Sequence, residues 1–252
     1  MLGTLGVLQL RHDSAGSCIR ADRKVGGKSL LEWVVRRVTD TQRLDGVLVI
    51  LPSGPAWVAT AKLVPPDVPV FFASRPDPLG QVVEALKEYP AKSVVRVIVD
   101  NPFIDPVLID RLVTTAEMHS GSDYIGYCSR DGQPAISAPV GMLVEWFRTR
   151  AIRQADGEAT DPADRDQVTR YLYSHPEKFN IRLIPLPEGL DGDDVRLTVA
   201  LEEDWDNAQT IYEALGPEQL DWQRIAGLLD SHPGLRQRMA DLNRSVAQMA
   251  GS

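Results

Sequence analysis

Five basic side chains lie near the N-terminus, between an apolar run and a helical pattern. They are Arg11, Arg20, Arg23, Lys24 and Lys28. The apolar run at residues 6–10 predicts a strand, and the pattern after Gly26-Gly27-Lys28 predicts an amphipathic helix. A strand, a loop of small and basic residues and a helix form the layout that cradles the phosphates of a nucleotide. The cluster therefore indicates an anion site, and a solvated loop is the alternative.

A carboxylate, Asp100, follows the strongly apolar run at residues 93–99. In open α/β sheets ligands bind at the carboxyl ends of the strands, so Asp100 is a candidate site residue. The alternative is that Asp100 caps the turn to Asn101-Pro102.

Apolar strands alternate with amphipathic helices through the first half of the chain, which predicts βαβ units and a mostly parallel sheet. After the opening strand, we expect strands at 47–51, 68–73 and 93–99, and helices at 29–38, 56–64, 79–89 and 105–118. In the second half we expect strands at 124–127, 140–143, 179–186 and 195–199. The helices there are expected at 144–154, from 160 to about 174, and at 202–215, 222–229 and 235–250. The simplest organisation is a single α/β domain over 1–252, with a small insertion at 124–180 and a C-terminal helix within 230–252.

The composition restricts the classes of partner. The chain has 252 residues and a net charge of −8, which argues against general binding to nucleic acid or to an anionic membrane. The two cysteines, Cys18 and Cys128, form no disulfide framework. No signal peptide and no membrane-spanning run is evident, so the expected location is the cytoplasm.

Residues 6–31 read GVLQLRHDSAGSCIRADRKVGGKSLL. This segment resembles the opening of the cytidylyltransferase family that activates sugars, in particular the spore-coat-polysaccharide-type members and relatives that make CMP-sialic acid and CMP-Kdo. Such openings typically read Q-A-R-x-x-S-x-R-L-P-G-K and then G-G-K-P-L-L. The positions in register are Gln9, Arg11, Ser14, Gly26, Gly27, Lys28, Leu30 and Leu31. Gly16 stands where the family has its second arginine, and Ser17-Cys18-Ile19-Arg20 replaces L-P-G-K.

Two further segments carry the resemblance. Residues 94–112 are similar to V-V-R-I-T-G-D-C-P-L-I-D-P-x-L-I-D, which places Asp100 on the aspartate that holds Mg²⁺ in such enzymes. Residues 164–171, DRDQVTRY, are similar to D-R-E-H-V-T-P-Y, and 175–179 to a H/N-P-E-x-F segment. This polar helix either lines a sugar site or packs in a dimer interface. For most of its residues we favour the structural role, which is packing. Arg165 is the exception, because arginine suits a carboxylate or phosphate.

Several positions depart from the family pattern. Residues 195–204, VRLTVALEED, are similar to x-R-L-T-V-D-x-x-E-D, but Ala200 stands on the second metal aspartate. Glu202 and Glu203 are nearby acids at a predicted helix start, where acids suit the helix dipole. Gln81 stands where many relatives have an arginine. The segment that often reads G-L-D-V-E in relatives falls roughly on residues 138–142, which contain no acid.

The resemblance implies a Rossmann-like nucleotidyltransferase fold and transfer of CMP from CTP to a sugar or sugar acid, with release of pyrophosphate, for polysaccharide or glycan biosynthesis. Arg11, Arg20 and Asp100 would be the catalytic residues. Gln9, Arg11, Ser14 and Lys28 would bind the nucleotide, and Arg165 would face the sugar.

Mg²⁺ is the implied cofactor, held by Asp100 and bound weakly or not at all if Ala200 marks a lost ligand. Relatives commonly form homodimers, so we expect a dimer interface within about residues 140–171. The alternative function is that of a catalytically silent homologue that binds a nucleotide or sugar, or regulates a partner.

Overall fold

The computed structural model describes residues 1–10 and 21–250. Its strands are β1 Leu2–Gln9, β2 Lys24–Val25, β3 Lys28–Ser29, β4 Gly46–Pro52, β5 Val70–Ala73, β6 Ala91–Ile98, β7 Tyr124–Cys128, β8 Val144–Arg148 and β9 Ile181–Pro185. Its α-helices are α1 Leu30–Thr39, α2 Val58–Ala61, α3 Pro78–Glu88, α4 Pro106–Met118, α5 Thr149–Glu158, α6 Pro162–Asp166, α7 Arg170–Ser174, α8 Glu202–Leu215, α9 Trp222–Ser231 and α10 Pro233–Ala250. Within these described ranges, no helix has both the length and the apolarity needed to cross a bilayer.

A seven-stranded sheet forms the centre of the fold, in the order β5-β4-β1-β6-β8-β7-β9. Neighbouring strands are parallel except where β8 pairs with β6 and with β7. The expectation of a mainly parallel sheet flanked by helices is therefore confirmed. The segment 124–180, expected to be an insertion, supplies β7 and β8 to this sheet.

Apolar residues of the central strands pack against helices on both faces of the sheet. Val34 of α1 and Leu108 of α4 belong to one buried cluster, whereas Leu48 of β4 and Val82 of α3 belong to another. Strands that are covered on both faces read as continuous apolar runs, which explains why the first half of the chain was readable from its sequence.

The helix starts follow local capping chemistry. The side chains of Ser29, Asp77 and Asp105 each accept a hydrogen bond from a backbone amide in the first turn of α1, α3 and α4. For α4 this confirms that Asp105 caps the helix with Pro106 at its first position. Such caps satisfy amides that have no partner inside the helix.

The second half differs from the sequence prediction at three places. The expected strand at 140–143 is absent, and residues 144–148 form strand β8 rather than the start of a helix. Val144 and Phe147 are buried against β6, so pairing with the sheet outweighs the helical periodicity. The helix expected from 160 to 174 is interrupted between α6 and α7.

Residues 195–199, the third difference, form no strand in the structure. They lie between two loops, because the Leu197 amide donates to the Pro139 carbonyl at 2.9 Å and the Val199 amide donates to the Asp100 carbonyl at 2.8 Å. Gly141 allows this approach: its φ is +68°, and a Cβ there would lie 2.2 Å from the Thr198 nitrogen.

Candidate functional site

Asp100 lies at the carboxyl edge of the sheet, two residues after β6 ends at Ile98. Strand β1 runs parallel to β6 and pairs Gln9 with Ile98, so both strands end at the same edge. A cavity of about 1080 Å³ opens there and is lined by Asp100 and Ala200, among others. This is the edge at which open α/β sheets bind ligands.

Ala200 lines the cavity beside Asp100, and backbone hydrogen bonds hold its segment in that position. The Asp100 carbonyl accepts from the Val199 amide at 2.8 Å and from the Thr198 hydroxyl at 3.3 Å. These bonds hold the segment that leads into α8 against the end of β6. The two positions that the resemblance assigns to metal-binding aspartates are therefore neighbours in space, and only one of them carries a carboxylate.

Two of the acids that follow Ala200, Glu202 and Asp204, have other structural roles. Asp204, 1% exposed, accepts from the Arg196 guanidinium at 2.6 and 2.9 Å. Asp204 also accepts from the amides of Ala200 and Leu201 at 3.0 and 2.8 Å. Glu202 forms an ion pair with Arg23 at 2.6 Å. These contacts hold both carboxylates to the start of α8, so neither stands in for an acid at position 200.

The described residues contain no group of three or more His, Cys, Asp or Glu side chains placed to hold a metal ion. Proteins bind Mg²⁺ through one or two carboxylates together with substrate phosphates. The carboxylate of Asp100 therefore fits a Mg²⁺ ion that arrives with the phosphates of a nucleotide, and it does not form a metal site by itself.

Lys28 and Lys24 lie on the hairpin of β2 and β3 and are exposed. Gly26 and Gly27 form its turn with φ values of +57° and +84°. A Cβ at Gly26 would lie 2.1 Å from the Tyr212 hydroxyl, so glycine is required by both conformation and space. Lys28 is thus presented to solvent at the start of α1.

The structure describes one of the three arginines of the N-terminal cluster. Arg23 is held by Glu202 and stacks over the Trp205 ring at 4.5 Å, so its charge is already paired. Arg11 and Arg20 lie outside the described residues, as do Ser14 and Gly16. Their assignments to phosphate binding stay predictions.

Gln9 is buried at the end of β1. Its Nε2 donates to the Pro78 carbonyl at 2.9 Å and to the Gln81 Oε1 at 3.0 Å. Gln81 in turn donates to the Arg75 carbonyl at 3.0 Å. The Gln9 Oε1 is buried with no partner in the described part of the chain. A buried unpaired acceptor is costly and calls for an explanation.

Arg165 does not line the cavity. Its guanidinium pairs with Asp77 at 2.8 Å and Asp156 at 2.6 Å, and donates to the carbonyls of Asp156 and Ala159 at 3.1 Å each. These contacts tie α6 to α3 and α5. The donors of Arg165 are thus engaged within the protein, its neighbours Asp166 and Gln167 line the cavity, and the sugar-facing role of Arg165 stays a prediction.

A buried polar network at the cavity was missed in the sequence. Arg96 of β6 and Glu145 of β8 face each other across the sheet and pair at 2.5 Å. Glu145 also accepts from the Thr169 hydroxyl at 2.5 Å and from the Tyr124 hydroxyl at 3.2 Å. Burial raises the pKa of Tyr124 well above its usual value, so this phenol stays a donor.

The signal for this network was present in the sequence. Arg96 interrupts an apolar strand run, and a charged residue inside such a run requires a buried partner. Residues 141–145 read GMLVE, so Gly141 and Glu145 have the spacing of the glycine and the glutamate in G-L-D-V-E.

Helix α10 closes one side of the cavity. Asn243 donates to the carbonyls of Asp193 and Val195 at 2.8 and 3.2 Å and accepts from Arg196 at 3.3 Å. These bonds fasten the helix to the loop that leads to Ala200. The C-terminal helix thereby becomes part of the site.

Comparisons with known proteins show the family to which the chain belongs. The family model of the MobA-like NTP transferase domain matches residues 16–186. The spore coat polysaccharide biosynthesis protein SpsF of Bacillus subtilis (strain 168) is 25% identical over 236 residues, which are 91% of this chain and 95% of that protein.

Solved structures share the fold. A cytidylyltransferase from Leptospira borgpetersenii serovar Hardjo-bovis (strain JB197) matches with a TM-score of 0.79 at 20% identity, covering 94% of this chain and 96% of that one. A CMP:2-keto-3-deoxy-manno-octonic acid synthetase complexed with CTP matches with a TM-score of 0.62 at 10% identity, covering 84% and 99%. The Rossmann-like nucleotidyltransferase fold is therefore confirmed. The chain belongs to the MobA-like NTP transferase domain family.

Proposed function

We propose that the protein binds CTP and transfers CMP to a hydroxyl group of a sugar or sugar acid. The observation that carries this proposal is the position of Asp100, at the shared carboxyl edge of β1 and β6 and beside a cavity of about 1080 Å³. The family match and the likeness to cytidylyltransferases support the choice of reaction.

The residues divide into a nucleotide side and an acceptor side. Arg11, Ser14, Arg20 and Lys28 hold the phosphates, and Gln9 contributes its unpaired Oε1 to the nucleotide site. The cavity beyond Asp100 receives the acceptor. The new bond joins the acceptor oxygen to the α-phosphorus of CTP, while the bond from that phosphorus to the bridging oxygen breaks. Pyrophosphate leaves with the electron pair, and the hydroxyl proton passes to solvent.

Asp100 would hold Mg²⁺ once the nucleotide is bound. The ion supplies positive charge that offsets the charge of the phosphates during transfer. Lys28 and the two arginines of the loop act in the same direction, since cations near the phosphates stabilise the developing charge.

A catalytically silent homologue is the second candidate, and Ala200 favours it. One carboxylate at the metal position binds Mg²⁺ more weakly than two, because the ion requires a complete and well-placed shell of oxygen ligands. Such a protein would retain the nucleotide or sugar site and act by binding or by regulating a partner.

We also propose that the protein forms a homodimer. Most residues from 140 to 147 are buried within the chain, so its interface would use the exposed faces of α5 and α6.

The test is release of pyrophosphate from CTP with Mg²⁺ and a panel of sugars and sugar acids. We expect slow, acceptor-dependent release that the substitution Asp100→Asn reduces by about tenfold or more. Absence of release with every acceptor, together with CTP binding, would favour the silent homologue. Absence of both would reject the proposal.

A further inference from the structure

A second cavity, of about 510 Å³, lies between the two loops that lead into β7 and β9. These strands are parallel neighbours, with Tyr124 paired to Ile181. Because β8 is antiparallel to both β6 and β7, β7 runs in the same direction as β6. The starts of β7 and β9 are therefore at the amino edge of the sheet, opposite the edge at which Asp100 lies. We call this second cavity the amino-edge cavity.

The two loops are fastened to each other, so the amino-edge cavity has a defined shape. The Asp123 amide donates to the Asn180 carbonyl at 2.8 Å, and the Asp123 carboxylate accepts from the Asn180 amide at 3.1 Å. The Arg148 guanidinium donates to the Ser122 carbonyl at 2.7 Å. Phe179, which is 4% exposed, anchors the second loop in the core. Preformed cavities of about 300–1,000 Å³ are typical of sites for small molecules rather than for macromolecules.

Four polar side chains line the amino-edge cavity without a hydrogen bond to any other described residue. They are His119, Ser122, Asn180 and Arg182. Among the arginines that the structure describes, Arg182 alone makes no ion pair, hydrogen bond or ring contact through its side chain. The guanidinium donors of Arg182 are therefore available to a ligand, and three further hydrogen-bonding groups lie on the same cavity.

The acids of the two loops do not compensate the charge of Arg182. Asp123 is paired with Arg150 at 2.9 Å, and Glu177 is exposed and lies outside the cavity lining. The lining itself contains no acid. A guanidinium presents its donors in a fork that matches the oxygens of a phosphate or carboxylate, and His119 adds a ring N–H beside it. The cavity is thus suited to an anionic group.

Pro176 and Ile181 give the amino-edge cavity an apolar part as well. Such surface matches the C–H face of a ring, which loses water favourably on burial. An exposed arginine on an edge strand such as β9 also discourages another strand from pairing with it. That role requires neither a cavity nor the unpaired side chains of His119, Ser122 and Asn180.

We infer that the amino-edge cavity is a second binding site, for a small organic molecule that carries a phosphate or carboxylate on a ring. Arg182 holds the oxyanion, His119 and Ser122 donate to its remaining oxygens, and the ring lies against Pro176 and Ile181. The inference does not depend on the proposed function, because none of these residues takes part in it.

Amide shifts measured by protein NMR at low ionic strength test the inference, because they distinguish this site from the carboxyl edge. The probes are glucose 6-phosphate, glucuronate and uncharged glucose. We expect the two anions to shift the amides of Ser122 and Arg182 saturably and to bind at least about fivefold more tightly than glucose, with weaker binding as salt is added. The comparison of the two anions shows whether phosphate or carboxylate is preferred. Shifts confined to Asp100 and its neighbours, or glucose binding as tightly as the anions, would overturn the inference.

Substitution of Arg182 tests which group holds the anion. Arg182→Gln should weaken anion binding at the amino-edge cavity by at least about fivefold, and Arg182→Lys, which keeps the charge, should weaken it less. Arg224→Gln removes an exposed arginine of α9 and is the matched control, which should bind as the wild type does. Arg182 is exposed, so we expect the melting temperature to stay unchanged. Anion binding that Arg182→Gln leaves unaltered would overturn the inference.

Discussion

The backbone carbonyl oxygen of Asp100 accepts a hydrogen bond from the Val199 amide over 2.8 Å. The bond joins the end of β6 to the segment before α8 and sets Ala200 beside Asp100 at the cavity. Family relatives are expected to carry two carboxylates at these positions, whereas this chain carries one. If Asp100 holds Mg²⁺ as proposed, a single substitution at position 200 should change the strength of metal binding.

Restoring the second carboxylate should strengthen binding of Mg²⁺ with the nucleotide. Ala200→Asp would place an acid beside Asp100, and two acids share the charge of the ion better than one. We expect the apparent affinity for Mg²⁺ in the presence of CTP to rise about tenfold, which corresponds to about 1.4 kcal/mol. Titration calorimetry with the wild type and the variant measures it.

Ala200→Asn is the matched control, because it has the same size without the charge. An equal gain from Ala200→Asn, or no gain from Ala200→Asp, would contradict the pairing of positions 100 and 200.

We expect turnover by the Ala200→Asp variant to stay low until Gly16→Arg is added, since a cation at the triphosphate can contribute ~10³-fold or more in phosphoryl transfer.

The ion pair of Arg96 and Glu145 should be costly to break from one side. Glu145→Leu leaves a buried guanidinium without its carboxylate, and we expect a loss of about 3–5 kcal/mol in the free energy of unfolding. Arg96→Leu with Glu145→Leu should lose less than Glu145→Leu alone, because no charge is then buried without a partner. Urea denaturation of the single and double variants measures the coupling. A loss below about 1 kcal/mol in the single variant would show that the pair is not buried as described.

The first half of the fold was predictable because its signals are local. Strand β4 is a continuous apolar run, β6 is an apolar run that Arg96 interrupts, and Asp105-Pro106 marks the start of α4. Residues 144–148 were wrongly predicted to be helical, because a helical period and a buried strand look alike over so short a run. Only the pairing with β6, some fifty residues earlier in the chain, decides between them.

The Asn243 side chain should control the attachment of α10 to the site. Asn243→Ala removes the bonds to the Asp193 and Val195 carbonyls, and we expect about 1–2 kcal/mol less stability for the helix. Hydrogen exchange over 233–250 should become faster. Gln237→Ala, which removes an exposed contact with Asp241 on the same helix, is the control. Equal hydrogen-exchange rates in the two variants would show that the Asn243 side chain does not hold α10 in place.

The Glu158 and Lys178 pair should make stability depend on pH. Hydrogen bonds from Lys178, Gln154 and Tyr171 lower the pKa of Glu158 from 4.5 to about 2, and Glu158 raises the pKa of Lys178. A lowered carboxyl pKa stabilises the fold above pH 4.5, and this stabilisation is lost as pH falls towards 2. The Lys178 contribution is present below its usual pKa and is lost at higher pH.

The measurement is the melting temperature of Glu158→Gln against wild type across pH. We expect a constant deficit from about pH 5 to 9 that shrinks between pH 4.5 and 2. Glu177→Gln, an exposed neighbouring acid, should show no such dependence. A deficit that stays unchanged down to pH 2.5 would contradict the ion pair.

The site was predictable where a residue type and its place in the chain agreed. Asp100 followed from its position after an apolar strand, and the structure places it at the expected edge. The contacts of Arg165 could not be predicted, because arginine binds protein carboxylates as readily as ligand anions, and only the structure shows Asp77 and Asp156 around it. The ion pair of Arg96 and Glu145 could be predicted only with knowledge of which strands are neighbours in the sheet.

Titration of CTP into the protein, with Mg²⁺ and at low salt, tests whether this end of the sheet holds a nucleotide. We expect saturable binding by the wild type that weakens at least about tenfold in the double variant Arg11→Ala with Arg20→Ala, because each cation contributes to holding the phosphates. Arg43→Ala with Arg224→Ala, which removes two exposed arginines outside the cavity lining, should bind as the wild type does. CTP binding that the loop substitutions leave unaltered, or no binding by the wild type, would contradict the assignment of a nucleotide site to this end of the sheet.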